Sequence, residues 1–187
     1  MLTHKGTQSI ETRRLILRRF TRNDAQAMFD NWASDPQVTK FLSWPAHKNI
    51  TVTKAVLEDW AENYHSSEYY QWAIVLKAQA DEPIGSISVI SHNDIIETAE
   101  IGYCLGKPWW HKGIMTEALM AVTDYLFDEI GMNRVSAKHD PNNPHSGGVM
   151  RKCGMLYEGT LRQAARNNQG ICDVCCYAML RCDRKTR

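Results

Sequence analysis

The chain has 187 residues, 43% of them hydrophobic and 23% charged, with 22 basic residues against 21 acids and a net charge of +1. These values are those of an average globular domain, which excludes a disordered chain, a collagen-like repeat and a disulfide-built miniprotein. The balanced charge also argues against a coat for nucleic acid or an anionic membrane, which needs a strongly basic face. No repeat, low-complexity run or Pro/Gly/Ser-rich linker divides the sequence, so one domain is expected. The polar N-terminus lacks the apolar core of a signal peptide, about 7–15 residues, and no stretch approaches the roughly 18 apolar residues of a membrane span. A cytoplasmic location with reduced thiols is the expectation.

Leu15, Leu17 and Arg19 alternate with Ile16, Arg18 and Phe20, an early strand. Thr21 and Asp24 have the spacing of a capping box. Ala25, Met28, Phe29 and Trp32 then recur at helical spacing, and the helix should stop before Pro36. Val38 to Ile50 is irregular and carries Trp44-Pro45; a second amphipathic helix follows, with Val56, Trp60 and Tyr64 on one face. Trp72 to Lys77 is an apolar run, Asp81-Glu82-Pro83 a turn, and Ile84 to Ile90 a hairpin partner. Thr98 to Leu105 is a strand with Ala99, Ile101, Tyr103 and Leu105 on one face and Glu100, Gly102 and Cys104 on the other.

Gly113 to Glu129 is the strongest helix, with Met115, Leu119, Val122 and Leu126 in register and Gly131 suited to its C-cap. A strand at Arg134 to Lys138, a helix at Ser146 to Lys152 and strands near Leu156 to Arg166 and Cys172 to Arg181 complete the order. The pattern is an α/β (α+β) fold with a mixed sheet. Its domain is expected over residues 13–182, with an extension at 1–12 and a tail at 183–187.

The cysteines are Cys104, Cys153, Cys172, Cys175, Cys176 and Cys182. Cys172 and Cys175 form a Cys-x-x-Cys with no second ligand pair at a zinc spacing, inside a segment that reads as a strand, where thiols pack as small apolar groups. The histidines are scattered and no pair has helical metal spacing, so no metal is expected. Trp32, Trp60 and Trp72 fall on core faces, which leaves Trp44 for a substrate wall.

The junction from Leu105 to Gly113 carries the most information. A strand ends, Gly106 and Pro108 make a turn, and a long helix starts near Gly113. Unpaired amides and the positive end of the helix dipole suit such a junction to phosphate, and Lys112 adds a positive charge. It has neither a P-loop nor a dinucleotide-binding glycine pattern, and spacing alone does not separate a phosphate site from an ordinary turn. Two longer stretches do. Ala99-Glu100-Ile101-Gly102-Tyr103-Cys104-Leu105 with Trp110-His111-Lys112-Gly113-Ile114-Met115-Thr116-Glu117-Ala118 resembles the acetyl-CoA motif of the GNAT acetyltransferases. Asn143-Pro144-His145-Ser146, with Lys152-Cys153-Gly154-Met155 and Glu158-Gly159, resembles the second signature of the branch that includes ribosomal-protein N-terminal acetyltransferases.

The resemblance runs from about Arg13 to Arg181 and implies a single GNAT-like domain, its central sheet mostly antiparallel and flanked by helices. It implies acetyl transfer from acetyl-CoA to a primary amine in a ternary complex. The pantetheine arm would bond the backbone of Cys104 and Leu105, and the pyrophosphate the amides of Lys112, Gly113, Ile114, Met115 and Thr116. Asn143 would touch the cofactor arm. Glu100 matches the family's general base and Ser146 its candidate general acid; the residues alone also allow an ion-paired Glu100 and Ser146 as a helix N-cap. Tyr103 is a reserve donor at the substrate side, with Trp44.

The sequence departs from the family at three places. His111 stands where a turn glycine is usual, Met150 where many members have a tyrosine, and Gln163-Ala164-Ala165-Arg166 where some carry a further glutamate. The acceptor is left open between a protein N-terminus, with a pKa near 7.7–8.0 against about 10.4 for lysine, and a small-molecule amine. The closing strands offer an edge to a second copy. A non-catalytic acetyl-CoA-binding regulatory module is the alternative, with no nucleic acid or membrane partner in either case.

Overall fold

Eight strands form one sheet: β1 (Ile10–Glu11), β2 (Leu15–Arg18), β3 (Gln71–Leu76), β4 (Pro83–Asn93), β5 (Thr98–Leu105), β6 (Arg134–His139), β7 (Leu156–Asn167) and β8 (Gly170–Leu180). Their order is β1-β2-β3-β4-β5-β6-β8-β7, in a computed structural model that describes residues 2–79 and 81–184. Every pairing is antiparallel except β5 with β6. The helices are α1 (Ala25–Met28), α2 (Pro36–Thr39), α3 (Ile50–Asn63), α4 (Ile114–Tyr125) and α5 (Pro144–Lys152).

Both faces of the sheet are covered, which is why β3 is a continuous apolar run rather than an alternation. On one face Leu15, Leu17, Trp72, Ile74, Ile87 and Ile101 pack against Leu119, Val122 and Leu126 of the α4 segment. On the other, Ala73 meets Phe20, which follows β2, and Met28, Trp32 and Leu57 from α1, its continuation and α3. Two turns of the wider π type extend α1 through Ala33 and α4 through Ile130. Gly131 then closes the second helix at φ +97°, the left-handed C-cap anticipated for it.

The expected mixed sheet flanked by helices is present, and two small elements join it. Pro36 ends one helix and opens the next: it sits at the first turn of α2, where its missing N–H costs nothing, while Asp35 caps the Gln37 amide at 2.7 Å. The segment before Arg13, anticipated as an extension, lies along the sheet: Ile10 pairs with Leu17, and Thr7 is 2% exposed. The tail anticipated at 183–187 is described to Arg184, which is ion-paired to Asp124 and Asp128; residues 185–187 lie outside the described residues. Strand β7 is the outer edge, with Leu156, Tyr157 and Leu161 exposed. Cys172, Cys175 and Cys176 lie half-buried along β8.

One brace fixes where α4 begins. Glu117 takes hydrogen bonds from the Thr12 hydroxyl (2.6 Å), the Arg14 amide (2.9 Å) and the Arg14 guanidinium (2.6 Å), and that guanidinium also donates to the Lys112 carbonyl at 2.9 Å. Burial pushes the Glu117 carboxyl up, but these donors outweigh it and hold the group below the usual range. A depressed carboxylate contributes stability above its unfolded pKa, about 4.3, and that contribution disappears as pH falls through the folded value. Glu117→Gln is expected to lose about 1 kcal/mol at pH 7, a modest amount because Arg14 is open to water. The deficit should shrink in urea melts below about pH 4; a deficit constant with pH would count against the brace.

Candidate active site

Strands β5 and β6 pair from Thr98↔Arg134 to Ile101↔Ala137 and then separate. Beyond that point β5 stays with β4 as far as Leu105↔Gly85, and β6 stays with β8 as far as His139↔Cys175. The peptide groups of Gly102 to Leu105 that face β6 therefore have no strand to take them, and a buried backbone group needs a partner. Into this gap opens a cleft of about 390 Å³, within the usual range of about 300–1,000 Å³ for small-molecule sites. Tyr103, Cys104, Leu105 and the start of α4 line one side, and Asn143 to Ser146 with Arg151 and Lys152 line the other.

The turn at the head of α4 presents its amides to this space. His111 and Gly113 are both left-handed, at φ +61° and +71°. The positive φ that the family's turn glycine would need is thus present at His111, a residue type that tolerates it better than most. The first intrahelical bond runs from the Glu117 amide to the Gly113 carbonyl at 3.1 Å, and no side chain caps the helix. The amides ahead of Glu117 are left as donors beside the positive end of the helix dipole. The Leu105 carbonyl accepts from the Trp110 indole at 2.7 Å, so Leu105 can offer an incoming arm mainly its amide. Burial pushes the Cys104 thiol up to about 11, and its sulfur lies 3.3 Å from the Ser86 hydroxyl.

Across the cleft, Asn143 takes the N-cap position of α5 and Pro144 its first turn, without a side-chain cap bond. The serine anticipated as a possible cap, Ser146, sits inside that turn because Pro144 begins the helix earlier than its spacing suggested. The Ser146 hydroxyl lies 3.0 Å from the Tyr103 hydroxyl, which also donates to the Ser146 carbonyl at 3.1 Å. Burial raises the Tyr103 phenol well above its ordinary value, so Tyr103 stays protonated and is a donor. Met150, at the position of the family's tyrosine, is 1% exposed in the core.

The titratable side chains lining the cleft, among the described residues, include His111, His145, Arg151 and Lys152 and no carboxylate. His111 and His145 meet edge to face across its mouth with ring centres 4.6 Å apart. Arg151 donates to the Tyr177 hydroxyl at 3.0 Å. Sequence reasoning gave His145, Arg151 and Lys152 no role of their own. The available signal was Gly148 followed three and four positions later by Arg151 and Lys152, which places all three on one side of α5.

Three anticipated site residues lie outside this lining. Glu100 lies on the face of β5 opposite Tyr103 and is ion-paired to Lys138 at 2.7 Å. Its cross-strand partner on β6 is Ser136, which brings Lys138, two positions on, within diagonal reach. Glu100 shares its face with Cys104 but lies four positions, roughly 13 Å, along the strand from it. Trp44 packs against His47 with ring centres 5.3 Å apart, and Phe41 and Leu42 close the end of the cleft in its place. The Trp44 and Thr39 carbonyls both accept from the Asn168 side chain at 2.8 Å, which ties the β7–β8 turn to this wall. Lys112 is exposed, and its contribution is the carbonyl that Arg14 holds.

A cleft between two splayed strands has open helix amides at one wall and only basic charge around it, a lining chemically suited to an anionic ligand. The family model described as "Acetyltransferase (GNAT) domain" matches residues 14–156, and the chain belongs to that family. The N-acetyltransferase p20 of Bacillus licheniformis, itself uncharacterized, is 28% identical over 93% of this chain and 97% of its own. The ribosomal-protein-serine acetyltransferase of Escherichia coli is 33% identical over 62% of this chain and 64% of its own. Among solved structures, the microcin C7 self-immunity acetyltransferase MccE in complex with acetyl-CoA and AMP superposes with a TM-score of 0.82, covering 96% of this chain and 98% of that one at 23% identity. The chain is thus an acyltransferase of the N-acetyltransferase type, on the GNAT fold. Among the described residues no helix is long and apolar enough to cross a membrane.

Proposed function

We propose that this acetyltransferase moves an acetyl group from acetyl-CoA to a primary amine by direct attack while both are bound, and that a protein N-terminal amine is the preferred acceptor. The observation that carries the reading is the cleft itself, in which unpaired β5 peptide groups and α4 amides meet four basic side chains and no carboxylate. The pantetheine arm would lie along Cys104 and Leu105 as an added strand edge, with Asn143 opposite. The pyrophosphate would rest on the amides of Gly113, Ile114, Met115 and Thr116. The complex of MccE with acetyl-CoA supports the choice of co-substrate, and the acetyltransferase names of the relatives do not favour the non-catalytic module.

The amine nitrogen attacks the thioester carbonyl, the new C–N bond forms, and the C–S bond breaks. Ser146 then gives its proton to the leaving thiolate and regains one from solvent, while Tyr103, which stays protonated, lies within hydrogen-bond distance and orients the Ser146 hydroxyl. The excess proton on nitrogen passes to Glu100 through water, since Glu100 lies outside the cleft lining. At neutral pH roughly a tenth or more of an N-terminal amine is already unprotonated, against a thousandth or less of a lysine. A base held in an ion pair outside the cleft lining suits the easier acceptor, and the name of the Escherichia coli relative supports a protein as the acceptor.

A thiol-release assay with acetyl-CoA tests this. A serine- or alanine-initiated peptide should be turned over faster than the same peptide blocked at its N-terminus and carrying a free lysine. Tyr103→Phe should lower kcat about tenfold with little change in KM for acetyl-CoA, as expected for loss of the hydrogen bond that orients Ser146. Because the phenol is raised, the wild-type rate should show no Tyr103 ionisation up to about pH 10. Intact acetyl-CoA binding with no thiol release from any amine would overturn the proposal in favour of the non-catalytic module.

A further inference from the structure

The opposite end of the β4–β5 hairpin carries a second group of chemically active side chains. The cofactor end is at Gly85↔Leu105; the far end is at His92↔Ala99 and Asn93↔Thr98. There His92, Asp94 and His4 converge, each offering one ligand atom, and these atoms lie within 4.8 Å of one another. His4 Nε2 is 3.2 Å from Asp94 Oδ2, and His92 Nδ1 is 2.9 Å from Asp94 Oδ1. The ring centres of His4 and His92 are 5.0 Å apart.

We propose that His4, His92 and Asp94 form a site for a divalent transition metal of the zinc type, which ties the N-terminal segment to the β4–β5 hairpin. Two imidazoles and one carboxylate are a ligand set for zinc and its neighbours rather than for magnesium or calcium, which take oxygen. The two imidazole nitrogens face the two different oxygens of Asp94, and the three ligand atoms, all within 4.8 Å of one another, need only a small side-chain shift to reach the roughly 3.3 Å edge of a tetrahedron with bonds of about 2.0–2.1 Å. Asp94 is half exposed, so water can complete the fourth position.

The ligands are also held in place before any metal arrives. His4 Nδ1 lies 2.6 Å from the hydroxyl of Tyr70, which is 1% exposed. A metal-bound imidazole commonly gives its other ring nitrogen to such a partner, which fixes the ring and its tautomer. A tyrosine hydroxyl both donates and accepts, so Tyr70 serves either tautomer. When the metal binds Nε2, that proton is carried on Nδ1 and donated to Tyr70. A metal on His92 Nδ1 likewise leaves its Nε2 as the ring donor. The chain around His4 is fixed by the Thr3 amide on the Ile130 carbonyl at 2.9 Å and by Lys5 on Glu129 at 2.6 Å. His92 and Asp94 stand at the end of a paired ladder.

The experiment is a titration of the whole protein with Zn²⁺ by calorimetry, with a thermal melt at saturating Zn²⁺, on wild type, His92→Ala, Asp94→Asn and Tyr70→Phe. Wild type should bind one equivalent, and at about one hundred times Kd its Tm should rise by about 5 °C or more. His92→Ala and Asp94→Asn should lose the Tm rise and weaken binding about 10²-fold or more, while their thiol-release rates with acetyl-CoA stay at the wild-type level. Tyr70→Phe should weaken binding about tenfold or more, as removal of an orienting partner does. The chain also has thiols that take zinc, so equal binding by wild type and both ligand variants would locate the metal elsewhere and overturn the proposal. Absence of any binding to wild type would overturn it too.

Discussion

Gly113→Asp is expected to abolish measurable acetyl-CoA binding, a loss of about 10²-fold or more, while leaving the protein folded. The added carboxylate would stand at the head of α4, among the amides assigned to the pyrophosphate. Two unit charges about 4 Å apart at a partly solvated surface repel by about 4 kcal/mol. The backbone there is left-handed at φ +71°, and the nearest atom to a new Cβ is the Arg14 guanidinium at 3.6 Å, so there is room for the side chain. Aspartate accepts that conformation better than most residues and is a good helix N-cap. Fold stability and cofactor affinity should therefore move independently, with little change in Tm and a large change in Kd. Gly113→Asn is the matched control, equal in shape and without the charge. Calorimetric titration should show Asn close to wild type and Asp without binding. Equal weakening by both variants would assign the effect to backbone strain and remove the pyrophosphate from this turn.

Glu100→Gln is expected to lower kcat about 10²-fold with Kd for acetyl-CoA nearly unchanged, the range for loss of a general base. The ion pair complicates a simple reading, since the same substitution also releases Lys138. Lys138→Met separates the two effects: it removes the cation, leaves the carboxylate, and should keep most of the activity. The partners are 20% and 41% exposed at their side chains, so neither variant should cost more than about 1 kcal/mol of stability. A Glu100→Gln enzyme with wild-type kcat would refute the base assignment. The water route would then need another proton acceptor on the acceptor side.

The parts of the fold that rest on periodicity were legible before the structure. Strand β5 is bounded at Thr98 and Leu105 as its alternation indicates, and the α4 segment ends at Gly131 because the sequence supplies a residue at ease with positive φ there. Strand β1 was not legible, since two residues carry no period and its partner supplies the reason for its existence. The site divides in the same way. Cys104, Gly113 to Thr116, Asn143 and Ser146 belong to contiguous motifs, and the fold brings all of them to one cleft. The basic wall of Arg151 and Lys152 and the pair of His111 with His145 arise from tertiary placement, for which a local pattern is a weak signal. Glu100 shows the opposite case. Its face on β5 followed from alternation, but its partner did not, because Lys138 arrives from a strand reached only after the whole of α4. His4 and Asp94 are 90 positions apart, beyond the reach of any spacing rule.

Asn168 has a consequence for how such a chain can diverge. Its one side-chain amide, on the turn between β7 and β8, holds the carbonyls of Thr39 and Trp44 from more than a hundred positions away. The segment behind the Phe41–Leu42 wall is thereby set by the reach of a hairpin that supplies nothing to the β5–α4 side of the cleft. A longer or shorter hairpin would reposition that wall and leave the β5–α4 half as it is. The fold therefore lets the shape of that end of the cleft change through insertions and deletions at one exposed turn, independently of the helix amides at its other wall.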